Sequence, residues 1–251
     1  MFRSLSARLG VGCATFAVSA LVATAVSAQC GTGNFNGFSI GLDTGYFRSE
    51  GNSTYTAPLA AFPASVPFAA GDTNYGPLVG TRFGYNLQCG STVYGFEADW
   101  AFAFLRGSAT YTDPFLTPLF GNNQFTTTTK LRDIGTLRAR VGLIGMNSWL
   151  LYGTGGLAFG NVTHSVTFRY FGLVPDTLSS EDKSFKVGWS AGLGIERSFG
   201  QWSLRAEALY VDLANTSLAF GLPGAFGTPA DQTAKWDNVF LITRLGMTYR
   251  Y

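Results

Sequence analysis

The chain has 251 residues, of which 46% are hydrophobic and 13% charged, with a formal net charge of +2 and a mean hydropathy of +0.15. That balance is too polar for a bundle of membrane helices, and past residue 28 no apolar run reaches the eighteen or so residues a spanning helix needs. No basic tail or charge block invites nucleic acid.

The chain begins with the pattern of a secretory leader. Arg3 and Arg8 form a basic start, Leu9 to Val26 an apolar stretch, and Val26-Ser27-Ala28 a small-residue cleavage site, so cleavage is expected after Ala28. Residues 1–28 are then a removed signal peptide and 29–251 the working domain. Removal takes away two of the seventeen basic residues and none of the fifteen acids, leaving a mature chain of zero formal charge. Gln29 before Cys30 does not suit a lipoprotein signal.

Eight segments then alternate bulky apolar with small or polar residues, the period-2 signature of strands with two unlike faces. In the first, Phe38 to Phe47, the residues Phe38, Ile40, Leu42, Thr44 and Tyr46 share one face, and Asp43 falls on the other with Ser39, Gly41 and Gly45. The second, Tyr75 to Leu87, sends Val79, Phe83 and Tyr85 one way and Arg82 the other. The third sets Tyr94, Phe96, Ala98, Trp100, Phe102 and Phe104 against Glu97 and Asp99; two carboxylates in hydrocarbon would be so costly that its register is effectively forced.

The fourth segment, Leu131 to Leu143, places Leu137, Ala139, Val141 and Leu143 outward and Arg138 and Arg140 inward. The fifth, Trp149 to Val162, has too many glycines to assign a phase. The sixth, Phe185 to Phe199, puts Glu196 inward. The seventh, Trp202 to Leu213, puts Arg205 and Glu207 inward, and the eighth, Asn238 to Tyr251, does the same with Arg244 and Arg250. Ten residues at about 3.3 Å each, tilted near 45°, cover roughly 23 Å, which matches the apolar band of an outer membrane.

Long polar connections near residues 49–73, 108–129, 163–183 and 214–236 alternate with tight turns near Cys89-Gly90, Gly145–Ser148 and Gly200-Gln201. This arrangement predicts an all-β fold, an eight-stranded antiparallel up-and-down transmembrane β-barrel, with short turns and both termini in the periplasm. An even strand count lets the sheet close without an exposed edge. Cys30 and Cys89 then share the periplasmic rim, where oxidation is permitted, and a disulfide between them is expected; the alternative is two free thiols.

The inward set is Asp43, Arg82, Glu97, Asp99, Arg138, Arg140, Glu196, Arg205, Glu207, Arg244 and Arg250. In a lumen only wide enough for side chains to fill, these groups are expected to pair as a packed charge network rather than line a broad channel; a small gated pore is the alternative. Catalysis would have to use the sole histidine, His164. Its neighbour Ser165 points to the opposite face of an extended strand and no acid is placed to orient the ring, so His164 reads as a solvated residue at the outer end of the fifth strand or in the following loop. Gly153-Thr154-Gly155-Gly156 follows no strand-to-helix turn and reads as barrel wall rather than a phosphate cradle. No metal-ligand or cofactor pattern is visible.

Several strings have a family look: Gly135-Thr136-Leu137-Arg138-Ala139-Arg140-Val141-Gly142, Leu151-Tyr152-Gly153-Thr154-Gly155-Gly156-Leu157-Ala158, Gly188-Trp189-Ser190-Ala191-Gly192-Leu193-Gly194-Ile195-Glu196, Leu204-Arg205-Ala206-Glu207-Ala208-Leu209-Tyr210-Val211-Asp212 and the ending Thr248-Tyr249-Arg250-Tyr251. With these the mature chain resembles the small outer-membrane β-barrel proteins of alphaproteobacteria, relatives of the OmpA transmembrane domain often labelled porin family. The resemblance implies insertion by the barrel-assembly machinery, which reads an aromatic C-terminal strand; Tyr249 and Tyr251 stand there, with tyrosine where phenylalanine is commoner at the end. It also implies a structural and surface-antigen role, with outer-membrane lipid, lipopolysaccharide and host or phage surfaces as partners of the loops. A narrow diffusion pore is the second reading and a lipid A-modifying enzyme a third.

Overall fold

The computed structural model describes residues 30–50, 53–59, 62–68, 75–112, 124–170, 176–221 and 231–251. The expected signal peptide, with its expected cleavage point at Ala28, lies outside them. The strands are β1 (Gly37–Ser49), β2 (Ser53–Leu59), β3 (Phe62–Phe68), β4 (Tyr75–Cys89), β5 (Thr92–Thr112), β6 (Gln124–Ile144), β7 (Trp149–Tyr170), β8 (Asp176–Phe199), β9 (Trp202–Gly221) and β10 (Asp231–Arg250). Eight of them follow one another round a ring, β1-β4-β5-β6-β7-β8-β9-β10, and β10 pairs back onto β1. Every pairing is antiparallel, so the sheet closes into the expected barrel.

The alternation that predicted the strands is the alternation of exposure. Phe38, Leu42, Phe83, Phe96, Phe104, Leu143, Leu193, Leu204 and Leu245 stand out from the wall, while Asp43, Arg82, Glu97, Asp99, Arg138 and Glu207 are buried within it. Outward rings gather near both ends of the apolar band. Trp202 meets Tyr249 at 4.9 Å beside the short turns, and Trp100, Phe159 and Phe185 form a chain higher on the wall. The short turns rest on local geometry that few residues tolerate: Gly90 and Gly200 have φ +61° and +68°, in the left-handed region that glycine adopts without a Cβ penalty.

Two features differ from the expectation, and a third resolves what the sequence left open. First, the wall continues beyond the apolar band: β5 and β6 stay paired up to Thr112 and Gln124, and β7 and β8 up to Tyr170 and Asp176, across stretches read above as loops. Threonine- and serine-rich chain is polar on both faces, so the period-2 contrast vanishes although the ladder persists. Second, the first long connection contains the β2–β3 hairpin, whose β2 adds to the outer end of β10 through Thr233↔Thr56 to Trp236↔Ser53. Third, the phase of β7 is resolved: Leu150, Tyr152, Thr154 and Ala158 point inward and Leu151 and Leu157 outward.

The interior is layered. Beginning at the short-turn end, Phe35, Val93, Leu150 and Tyr152 form a small apolar floor. The charged residues come next. Above them Phe47, Leu78, Leu131, Ile134, Val162, Leu209, Val211, Leu213, Phe240 and Ile242 fill the lumen as one buried hydrophobic cluster. Several wall strands repeat the order; on β9, Arg205 and Glu207 are followed by Leu209, Val211 and Leu213, and on β10, Arg244 is preceded by Ile242 and Phe240.

Candidate functional site

The charged layer is built by strand alternation alone. Residues two apart on one strand share a face, so Glu97 and Asp99 on β5, Arg138 and Arg140 on β6, and Arg205 and Glu207 on β9 all reach the lumen from consecutive inward positions. Ring closure then decides who meets whom. Arg138 is the hub: its Nη2 lies 2.8 Å from Asp99 Oδ2 and 3.5 Å from Glu97 Oε2, its Nη1 pairs with Glu207, and its Nε donates to Thr136 Oγ1 at 2.8 Å. Arg244 clamps Asp99 and Glu207 from the β10 side at 3.0 and 3.1 Å.

Nearer the short turns, Glu97 Oε1 takes Arg140 at 2.9 Å and Arg205 at 2.7 Å, and Arg205 also pairs with Glu207. Glu196 joins Arg140 at 2.9 Å to Arg250 at 2.8 Å and accepts the Ser203 hydroxyl at 2.7 Å. These nine charged residues form one connected network. Asp43 and Arg82 make a separate pair beside it, with Arg82 Nη1 reaching Thr248 Oγ1 at 3.4 Å. The structure thus brings together all eleven residues singled out for the lumen, and leaves the guanidinium of Arg250 at its lower margin, where it also donates to the carbonyl of Asn34.

Burial sets the energetics. An ion removed from water loses hydration worth several kcal/mol, which only close, multiply hydrogen-bonded counter-ions offset. Here most carboxylates meet two or more guanidiniums, so no single pair carries the layer. Tyr152 belongs to it as well: its hydroxyl donates to Glu207 Oε2 at 3.0 Å, and the Arg140 and Arg205 guanidiniums lie 4.8 and 5.5 Å from its ring centroid. Sequence reading missed Tyr152 because β7 is glycine-rich, although Tyr152 and Thr154 falling in one phase was a usable signal.

Cys30 and Cys89 are joined in a disulfide. Tyr249 and Tyr251 face outward at the end of β10, Tyr251 with 78% of its surface exposed and its N–H donating to Phe38 O at 2.9 Å.

His164 requires a correction. It is not a solvated loop residue but an inward side chain of β7, 1% exposed, because the strand runs past the apolar band. Its ring stacks on Trp236 at 4.7 Å; Nε2 lies 3.0 Å from Asn238 Oδ1 and Nδ1 3.2 Å from Thr129 Oγ1. An amide oxygen only accepts, so Nε2 carries the proton and Nδ1 accepts the threonine hydroxyl. Both ring nitrogens are thereby committed to neutral partners. Ser165 points away from this cluster.

The family model described as outer membrane protein beta-barrel domain matches residues 14–233. The 31 kDa outer-membrane immunogenic protein of Brucella melitensis is 31% identical over 204 residues, covering 80% of this chain and 78% of that protein. The 22 kDa outer membrane protein of Rhizobium leguminosarum is 34% identical over 113 residues, 45% of this chain and 41% of the relative. Among solved structures, the outer membrane protein OprG from Pseudomonas aeruginosa superposes with a TM-score of 0.52 at 16% identity, covering 87% of this chain and 98% of that one; at that identity the likeness concerns the fold alone.

Proposed function

This chain belongs to the outer membrane protein β-barrel family, and from that premise we propose that it works as a structural and surface-contact element of the bacterial outer membrane. Its short-turn end and both termini face the periplasm in this reading, residues 1–28 are removed on export, and the extended strands and long connections stand outside the cell. What carries the reading is the filled lumen: an ionic layer with a hydrophobic layer above it. A hydrophilic solute would have to displace both, and moving a hydrated group through packed Phe240, Leu213 and Leu131 costs what any unpaired polar burial costs.

A rigid wall that projects beyond the membrane suits display. The immunogenic Brucella relative supports surface exposure, and lipopolysaccharide, host surfaces and phage are the partners we assign to the outer face. Tyr249 and Tyr251 are the aromatic residues offered to the barrel-assembly machinery. We read the chain as non-catalytic, since His164 holds Asn238 and Thr129 and has no acid among its hydrogen-bond partners.

Reconstitution in planar bilayers tests this. The expected outcome is an electrically silent barrel. Reproducible conductance steps that change with Arg138→Ala or Glu97→Gln would install the narrow pore in its place, and lipid A altered in cells carrying the native protein but not His164→Ala would install the enzyme. Recovery of an exported chain beginning at Gln29 checks the cleavage site.

A further inference from the structure

We infer that the segment Cys30–Asn36 is a tethered stopper closing the short-turn end of the lumen, and that cleavage of the Cys30–Cys89 bond releases it. The inference rests on the filled-barrel reading for its meaning, since only a lumen shut from the outside gains a one-sided opening.

The chain ahead of β1 does not run straight into the periplasmic side. It folds back against the end of β4, where Cys30 is bonded to Cys89 and forms an antiparallel bridge with it. The Gly31 N–H donates to Gln88 O at 2.9 Å. The segment then turns at Gly33, whose φ of +125° lies in a region that glycine adopts without a Cβ penalty. Gln88 grips the returning chain twice: its Oε1 accepts the Phe35 N–H at 3.0 Å and its own N–H donates to Asn36 Oδ1 at 3.4 Å.

From β10, on the other side of β1, Arg250 donates to Asn34 O and lies 5.1 Å from the Phe35 ring centroid. The result is a short loop with Cys30 to Asn34 exposed and one side chain driven inward. Phe35 is 1% exposed and shares a buried cluster with Val93 of β5 and with Leu150 and Tyr152 of β7, four strands round the ring from β1. Phe35 therefore lies across the mouth, directly below the Arg140–Glu196–Arg250 part of the ionic layer.

The tether decides whether the stopper stays. Ordering seven residues costs backbone entropy at each one, and a single buried ring with a few hydrogen bonds offsets only part of it. The disulfide removes most of that freedom in advance by holding the segment's far end at the rim. A dithiol opens it: one thiolate attacks a sulfur of the bond, the second thiol closes the reagent into its own disulfide, and two electrons and two protons leave Cys30 and Cys89 as thiols. Freed at that end, the segment keeps its hydrogen bonds to Gln88 and Arg250 and the packing of Phe35 but loses its covalent anchor.

Hydroxyl-radical footprinting of the refolded protein, resolved by residue, tests this in four arms: the oxidised protein, the same protein treated with dithiothreitol, Cys30→Ser with Cys89→Ser, and Phe35→Ala with the bond intact. Tyr152 is expected to be protected in the first arm and oxidised about fivefold faster in the other three, as a local opening would give. Met146, 87% exposed in a short turn, calibrates dose, and a folded-form gel shift in every arm excludes a misfolded variant. Equal Tyr152 oxidation in all arms overturns the stopper, and protection that survives loss of the bond overturns the latch. Phe47 and Phe240 of the outer apolar layer stay protected throughout; their oxidation in the untreated protein would count against the filled barrel instead.

Discussion

In the lower lumen Arg138 touches three carboxylates, whereas higher on the same wall Leu213 and Phe240 lie in a cluster of hydrocarbon. Both layers fill a cylinder just wide enough for side chains, but they respond differently to damage. Apolar packing is non-directional, so a truncated residue loses its own contacts and leaves a void. An ionic layer is directional and desolvated, so a missing partner strands the charges that remain.

The sharpest way to break this contrast is to remove the hub. Arg138→Ala leaves Asp99 and Glu207 with fewer counter-charges and is expected to destabilise the refolded barrel by ~3–5 kcal/mol, measured by urea unfolding in micelles with tryptophan fluorescence. A loss no larger than that of a surface variant would mean the layer is already hydrated. Next, Leu213→Ala in the apolar layer should cost about 3 kcal/mol with no change in the response of stability to salt.

The pair at the side of the network sharpens the comparison further. Replacing both members, Asp43→Leu with Arg82→Met, should leave stability within about 1 kcal/mol of the parent or above it, while Asp43→Leu alone strands a buried guanidinium and costs several-fold more. If the double change is as harmful as the single one, the two residues hold something besides each other. The smallest effect belongs to the exposed Lys183–Glu181 pair at 3.2 Å: Lys183→Ala should shift stability by less than about 0.5 kcal/mol, and a greater shift would mark the extended wall as a cooperative part of the barrel.

Where the two faces of a strand differ, the strand was legible. β5 below Phe104 alternates rings with carboxylates and has one allowed register. Legibility failed wherever the faces matched. In β7 glycine occupies both, in the outer ends of β6 and β8 both are polar, and in β9 Leu209-Tyr210-Val211 and β10 Val239-Phe240-Leu241-Ile242 both are apolar. For that last reason the hydrophobic layer was invisible as a layer: inward Phe240 and outward Leu241 look alike to any count of periodicity. His164 was misplaced on the same ground, since nothing along the chain marked the strand as continuing past the apolar band.

By itself the amino-acid order determined the class of molecule, the eight wall strands, the inward direction of eleven charges and the nearness of Cys30 to Cys89. Those are consequences of a two-residue period and of alternating connections, which act within one strand or between neighbours. The tertiary structure decided the rest: that Arg138 gathers acids from β5 and β9, that Tyr152 meets Glu207, that β2 adds to β10, and that Phe35 turns in across the mouth. Contacts across a lumen depend on strand stagger and on the closure of β1 against β10, and both are properties of the whole ring, carried by no single segment of it.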